Sequence, residues 1–156
     1  MRKIRNPFKG LTGYNCFGCS PDNPAGLQME FYEDGNELIS EWTPKDHHQG
    51  YMNVLHGGIQ STLMDEIASW LVYVKLMRAG VTSNMEIRYF KPIFVNGGKL
   101  TIRAELKEMR KNLADIKVRI LNSKNELCSQ GNITYFTFSQ EISKKSYNYP
   151  VNPEMF

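Results

Sequence analysis

The chain has 156 residues, 41% of them hydrophobic, and a formal net charge of +3. That suits one globular domain, residues 1–156, with a real core and little room for a second. The mild charge admits an anionic ligand but argues against a nucleic-acid binder, and no apolar run reaches the length of a membrane span.

The N-terminus, MRKIRNPFKG, is basic but lacks the apolar stretch of a secretory signal, so the expected location is the cytoplasm. Residues 1–26 are rich in Gly, Pro and Asn, with a turn cluster in SPDNPAG (20–26), and read as irregular. Three cysteines, an odd and low count, argue against a disulfide scaffold. Cys16-Phe-Gly-Cys19 is a single CxxC. A zinc site needs four suitably spaced ligands, and no second CxxC or HxxxH appears, so the expectation is two reduced thiols and no metal.

The period then becomes two. Leu27, Met29 and Phe31 alternate with polar residues, giving a strand at 27–32; Asp34-Gly35 turns the chain and 36–43 returns. Residues 44–53 form a polar connection. A helix pattern runs from about Gly57 to Arg78, with Ile59, Leu63, Ile67, Trp70, Val74 and Met77 on one face and Gly80 as the stop signal. Four strands follow: 82–90, 100–109, one centred on 116–120, and 127–138, where Gly131 suggests a bulge. Asn96-Gly97-Gly98, Lys111-Asn112 and 122–126 are the turns, and the tail 139–156 reads as irregular. Tight turns between the last strands demand an antiparallel sheet, and one long helix beside it makes an α+β layer arrangement.

At 100° per residue, Asp65 points away from the apolar stripe, with Ser61 and Ser69 near it. The second half of the helix, WLVYVKLM, is apolar nearly all round. Such a helix is covered on both sides, which implies a partner subunit and places Asp65 in or beside an interface, partly desolvated and suited to act as base or nucleophile. Glu66 falls at the margin and reads more readily as a rim charge than as a second acid. At the other end, Gly57 and Gly58 open the helix, where unpaired N–H groups and the dipole suit an oxygen gaining negative charge. His56 reads as a residue that shapes this loop, and Cys128, inside a strand, as an inert thiol.

His56-Gly57-Gly58 followed by Asp65-Glu66, with CFGCSPDNPAGLQMEF at the start and HQGYMNVLHGG before the helix, resembles the hot-dog-fold thioesterases of the PaaI-like family, in the branch with an N-terminal Cys motif. The likeness covers roughly residues 14–138. It implies a sheet of about six antiparallel strands wrapped around the central helix, and two chains paired through the strand at 82–90 as a homodimer, with many relatives pairing dimers into tetramers. Each of two active sites would take the helix start from one chain and the acid from the other.

The implied substrate is an acyl-coenzyme A thioester, with no separate cofactor. Gly57 and Gly58 would polarise the carbonyl, Asp65 would activate water or attack directly, and His56 would orient. Thr82, or else Ser83, would hold the water. Some relatives carry Asn six residues before the HGG histidine; here that position is Gly50, and Gln49 or Asn53 would substitute. Arg88, Lys91, Arg110 and Lys111 are candidates to meet the phosphates of coenzyme A. The alternative function is a protein of this fold that binds acyl-coenzyme A without turning it over.

Overall fold

The structure is a computed structural model that describes residues 1–156. Its centre is α1, Gly57–Lys75. Strands β1 (Arg2–Lys3), β2 (Tyr32–Asp34) and β3 (Glu37–Trp42) precede it. Strands β4 (Gly80–Tyr89), β5 (Leu100–Arg110), β6 (Leu113–Leu121) and β7 (Leu127–Thr137) follow. They form one seven-stranded sheet in the order β1-β2-β3-β5-β6-β7-β4, with every pair antiparallel. The sheet wraps α1, which packs on β3 through β7. This is the hot-dog fold, with one more strand than the sequence pattern suggested.

Alternation accounts for the sheet. In β6, Ala114, Ile116, Val118 and Ile120 are buried while the residues between them are half-exposed. Lys111, at φ 59°, turns β5 into β6, and Gly35, also at φ 59°, turns β2 into β3.

Several elements differ from the pattern. Residues 27–31 alternate in burial as expected, but Gln28 sits at φ 52° and breaks the ladder. Leu27 N–H and Met29 N–H donate instead to the carbonyls of Phe17 (2.7 Å) and Gly18 (2.9 Å), so the segment pairs with the CxxC loop and the strand begins only at Tyr32. The N-terminal stretch contributes β1 to the sheet rather than being wholly irregular. The helix stops earlier than Arg78, with Met77 in the left-handed region at φ 54°, and Gly80 belongs to β4. Met77 is exposed and Val74 only half-buried, so the core face is carried by Leu63, Met64, Ile67, Ala68, Trp70, Leu71 and Val72. The tail is not irregular throughout: Ser139 caps a short helix, α2, at Gln140–Ser146.

The tail also corrects the expected cover of α1. Phe8 from the N-terminal segment and Tyr149 and Phe156 from the tail close over Trp70 and Tyr73, with Tyr73 and Phe156 stacked at 5.8 Å. The apolar second half of the helix is therefore covered by the chain's own ends, so its composition does not require a second subunit.

Gly131 is in regular register with Val118 and Ile87, and no bulge occurs there; the irregularities fall at Thr82/Asn84, Leu106/Glu108 and Ile120/Leu121. Its role is close approach. A Cβ at Gly131 would lie 2.8 Å from Met64 Sδ, on a side chain that is fully buried. Gly131→Ala should therefore cost about 1–3 kcal/mol through overpacking, read as a lower urea midpoint with an unchanged m-value.

Candidate active site

The polar connection and the helix start are built around His56. Its backbone N–H donates to the His48 carbonyl at 3.0 Å, and its Nδ1 accepts from the Gly58 N–H at 2.8 Å, so His56 is the N-cap of α1. An acceptor Nδ1 puts the proton of a neutral ring on Nε2. Ile59 N–H and Gln60 N–H both reach the His56 carbonyl, at 3.0 and 3.1 Å. Of the four N–H groups that open the helix, only that of Gly57 has no acceptor in the chain. The two glycines thus have different tasks. A Cβ at Gly58 would come within 2.9 Å of His56 Nδ1, so Gly58 is needed for the cap, and Gly57 alone offers a free donor. That donor borders a cavity of about 410 Å³ lined by Gly50, Tyr51, Val54, Leu55, His56 and Gly57.

Two turns along the helix, Asp65 is half-buried and points toward β4 and β7. Thr82 and Tyr135 are cross-strand partners on those strands, and both hydroxyls reach Asp65 Oδ1 at 2.7 Å. Tyr135 OH also lies 2.9 Å from the Asp65 carbonyl. Oδ2 has no partner in the chain. Burial, with the Asp65 charge beside it, pushes the Tyr135 hydroxyl well above its ordinary range and keeps it a donor. Sequence reasoning missed Tyr135. The available signal was its place in the inward row Gly131, Ile133, Tyr135, Thr137, where a phenol needs a polar partner.

Ser83, the other candidate beside Thr82, is the extra residue of the β4 bulge and makes no hydrogen bond to Asp65. Gln49 and Asn53 shape the connection. Gln49 Oε1 accepts from the Asn53 N–H at 2.7 Å, and Asn53, at φ 60°, exchanges bonds with Asn96. A Cβ at Gly50 would stand 3.4 Å from His56 Cδ2, so the position borders the helix tip. Arg88 is exposed and in no ion pair, whereas Lys91 pairs with Glu126 and Arg110 with Asp115. Tyr89 closes the picture: its hydroxyl lies 3.0 Å from both the Gly57 carbonyl and Ser61 Oγ.

Glu66 is not the rim charge that the helical wheel suggests. It is half-buried, Oε1 accepts from Trp70 Nε1 at 3.1 Å, and Cys16 Sγ lies 3.5 Å away. Burial and the neighbouring Cys16 sulfur push its carboxyl up to about 7.

The model of the thioesterase superfamily matches residues 52–129. Acyl-coenzyme A thioesterase 13 of Mus musculus is 31% identical over 100 residues, 63% of this chain and 71% of that protein. Among solved structures, a thioesterase of Haemophilus influenzae superposes with a TM-score of 0.67 at 21% identity, covering 73% of this chain and 80% of its own. A hypothetical thioesterase of Streptococcus pneumoniae, solved with coenzyme A, gives 0.65 at 24% identity, covering 72% and 87%. The chain belongs to the thioesterase superfamily. It is a thioester hydrolase built on the hot-dog fold.

Because His56 caps the helix, His56→Ala should lower stability by about 0.5–2 kcal/mol, the range for losing a helix cap, as read by urea denaturation. Lys91→Ala, which removes only an exposed pair, should stay within about 1 kcal/mol of the parent.

Proposed function

We propose that this chain hydrolyses acyl-coenzyme A thioesters with water, at sites shared between two copies. The observation that carries the reading is the single unpartnered N–H of Gly57 at the tip of α1, together with the unpartnered Oδ2 of Asp65. Gly57 and Asp65 are eight residues apart, roughly 12 Å along a helix axis. That separation is long for one carbonyl and the water attacking it to span, since an oxyanion donor must lie about 2.7–3.1 Å from the oxygen. The separation supports a donor and a base drawn from different chains.

The sheet edges favour the same arrangement. One edge is β1, two residues long and charged, which is a blunted edge. The other is β4, ten residues long and largely exposed. Around it, Tyr51 and Met52 are 87% and 90% exposed, and Tyr89, Phe90 and Phe94 about half. Antiparallel pairing of two β4 strands would cover this surface and bring each helix tip toward the partner's Asp65.

In this reading the thioester carbonyl accepts from the Gly57 N–H, which strengthens its hold as the oxygen becomes negative. Thr82 and Tyr135 fix Asp65 through Oδ1, so that Oδ2 takes the proton of a water attacking the carbonyl carbon. The tetrahedral intermediate then collapses, the C–S bond breaks, and the proton held on Asp65 Oδ2 passes to the departing sulfur, so that coenzyme A leaves as its thiol and the carboxylate is restored. Of the four candidate cations, Arg88 and Lys111 are in no ion pair and are left to meet a phosphate, while Gln49 and Asn53 hold the loop that carries His56. The protein acts as a homodimer, or as dimers paired into tetramers, in the cytoplasm, with no cofactor beyond its substrate. The coenzyme A bound to the Streptococcus pneumoniae neighbour and the name of the mouse relative support the substrate class.

Gly57→Pro tests the donor without disturbing the helix. Proline is tolerated at the first helical position, and His56 already has the extended backbone, φ −59° and ψ 131°, that a residue before proline needs. It should lower kcat about 10²–10³-fold against acyl-coenzyme A substrates in a thiol-release assay. Asp65→Asn should lower it at least about 10²-fold. Mixing the two inactive variants with subunit exchange should restore about a quarter of the parental activity, because half the dimers then carry one intact site of two. No recovery from a mixture shown to have exchanged subunits would refute the shared site. Undiminished turnover in Asp65→Asn would refute the base, and tight binding without turnover in the parent would identify a carrier instead.

A further inference from the structure

The Cys16-Phe-Gly-Cys19 loop has no part in the hydrolysis described above, yet the fold brings it to a defined place. Cys16 Sγ, Cys19 Sγ and a carboxylate oxygen of Glu66 all lie within 4.8 Å of one another. The third donor comes from α1, 50 residues away from Cys16, which is why no spacing in the sequence displayed it. Zinc–sulfur bonds of about 2.3 Å and zinc–oxygen bonds of about 2.0 Å in a tetrahedron place sulfur and oxygen about 3.5 Å apart. The Cys16 Sγ to Glu66 Oε1 separation is 3.5 Å.

The surroundings are those of a ligand cluster. Trp70 Nε1 donates to Glu66 Oε1 at 3.1 Å, Tyr14 OH lies 3.0 Å from Cys19 Sγ, and the Cys19 N–H donates to Cys16 Sγ at 3.4 Å. Such contacts orient metal ligands and favour their anionic forms. Gly18 leaves room for the Glu66 carboxyl group in its present position, which a Cβ there would overlap. None of the chain's ion pairs includes Glu66, so thiol and carboxyl groups meet there without a neighbouring cation. The three donors border a cavity of about 230 Å³, also lined by Tyr14, Ser69 and Asn148, and no fourth metal-binding side chain belongs to the cluster.

We propose that Cys16, Cys19 and Glu66 bind a zinc ion whose fourth position is taken by water from this cavity. The ion fastens the N-terminal segment to α1 one residue beyond Asp65 and so stiffens the helix turn that carries the acid. Two thiolates with one carboxylate suit zinc better than calcium or magnesium, which take oxygen ligands.

The test uses the whole chain, purified under reducing conditions without chelator. Elemental analysis should find one zinc per chain. Cobalt added to the stripped protein should give a thiolate-to-cobalt charge-transfer band together with the visible bands of a tetrahedral ion. Both signals should vanish in the Cys16→Ser/Cys19→Ser double variant. Glu66→Gln keeps both thiols and should weaken zinc binding by more than about tenfold. The parent measurement stands whether or not the variants fold. A folded parent that holds no zinc and gives no charge-transfer band overturns the proposal. So does a Cys16–Cys19 disulfide that, once reduced, takes no metal, and so does zinc binding unchanged in Glu66→Gln.

Discussion

The contact between α1 and the inward row of β7 fixes the rest of the molecule. Gly131 lets the strand approach Met64 closely, and four residues further along the same row Tyr135 meets Asp65. The bulge at Ser83 shifts β4 by one residue against β7 and sets Thr82 beside Tyr135. The depth of the packing thus decides where an acid stands and which of its oxygens is left open. A chain with a larger residue at 131 would displace the helix face that presents the acid.

The strands and the helix were legible because their apolar periods are long and uninterrupted. β6 alternates over its whole length, and α1 carries a wide stripe. What escaped was non-local. Gln28 breaks its strand through a left-handed backbone, and nothing in its residue type announces that. The tail became structured because Tyr149 and Phe156 find Trp70 and Tyr73, contacts that no window of neighbouring residues contains.

The candidate site was readable to the same degree. His56, Gly57 and Asp65 lie on one continuous stretch, so the helical period placed Gly57 and Asp65 on the helix and His56 just before it. The division of labour between the two glycines was not readable, because it depends on which way the His56 ring turns. Tyr135 and the neighbourhood of Glu66 needed the sheet and the N-terminal loop in place. Sequence supplied the groups, and tertiary packing supplied their partners.

Tyr89 sits on the exposed edge strand, yet its hydroxyl touches the Gly57 carbonyl and Ser61 at the helix tip. Edge and tip are therefore one mechanical unit. If the thioester is gripped by two chains, ligand occupancy and self-association must obey reciprocal linkage: each raises the other by the same factor. Specific activity would then fall on dilution, and saturating substrate would counter that fall by mass action.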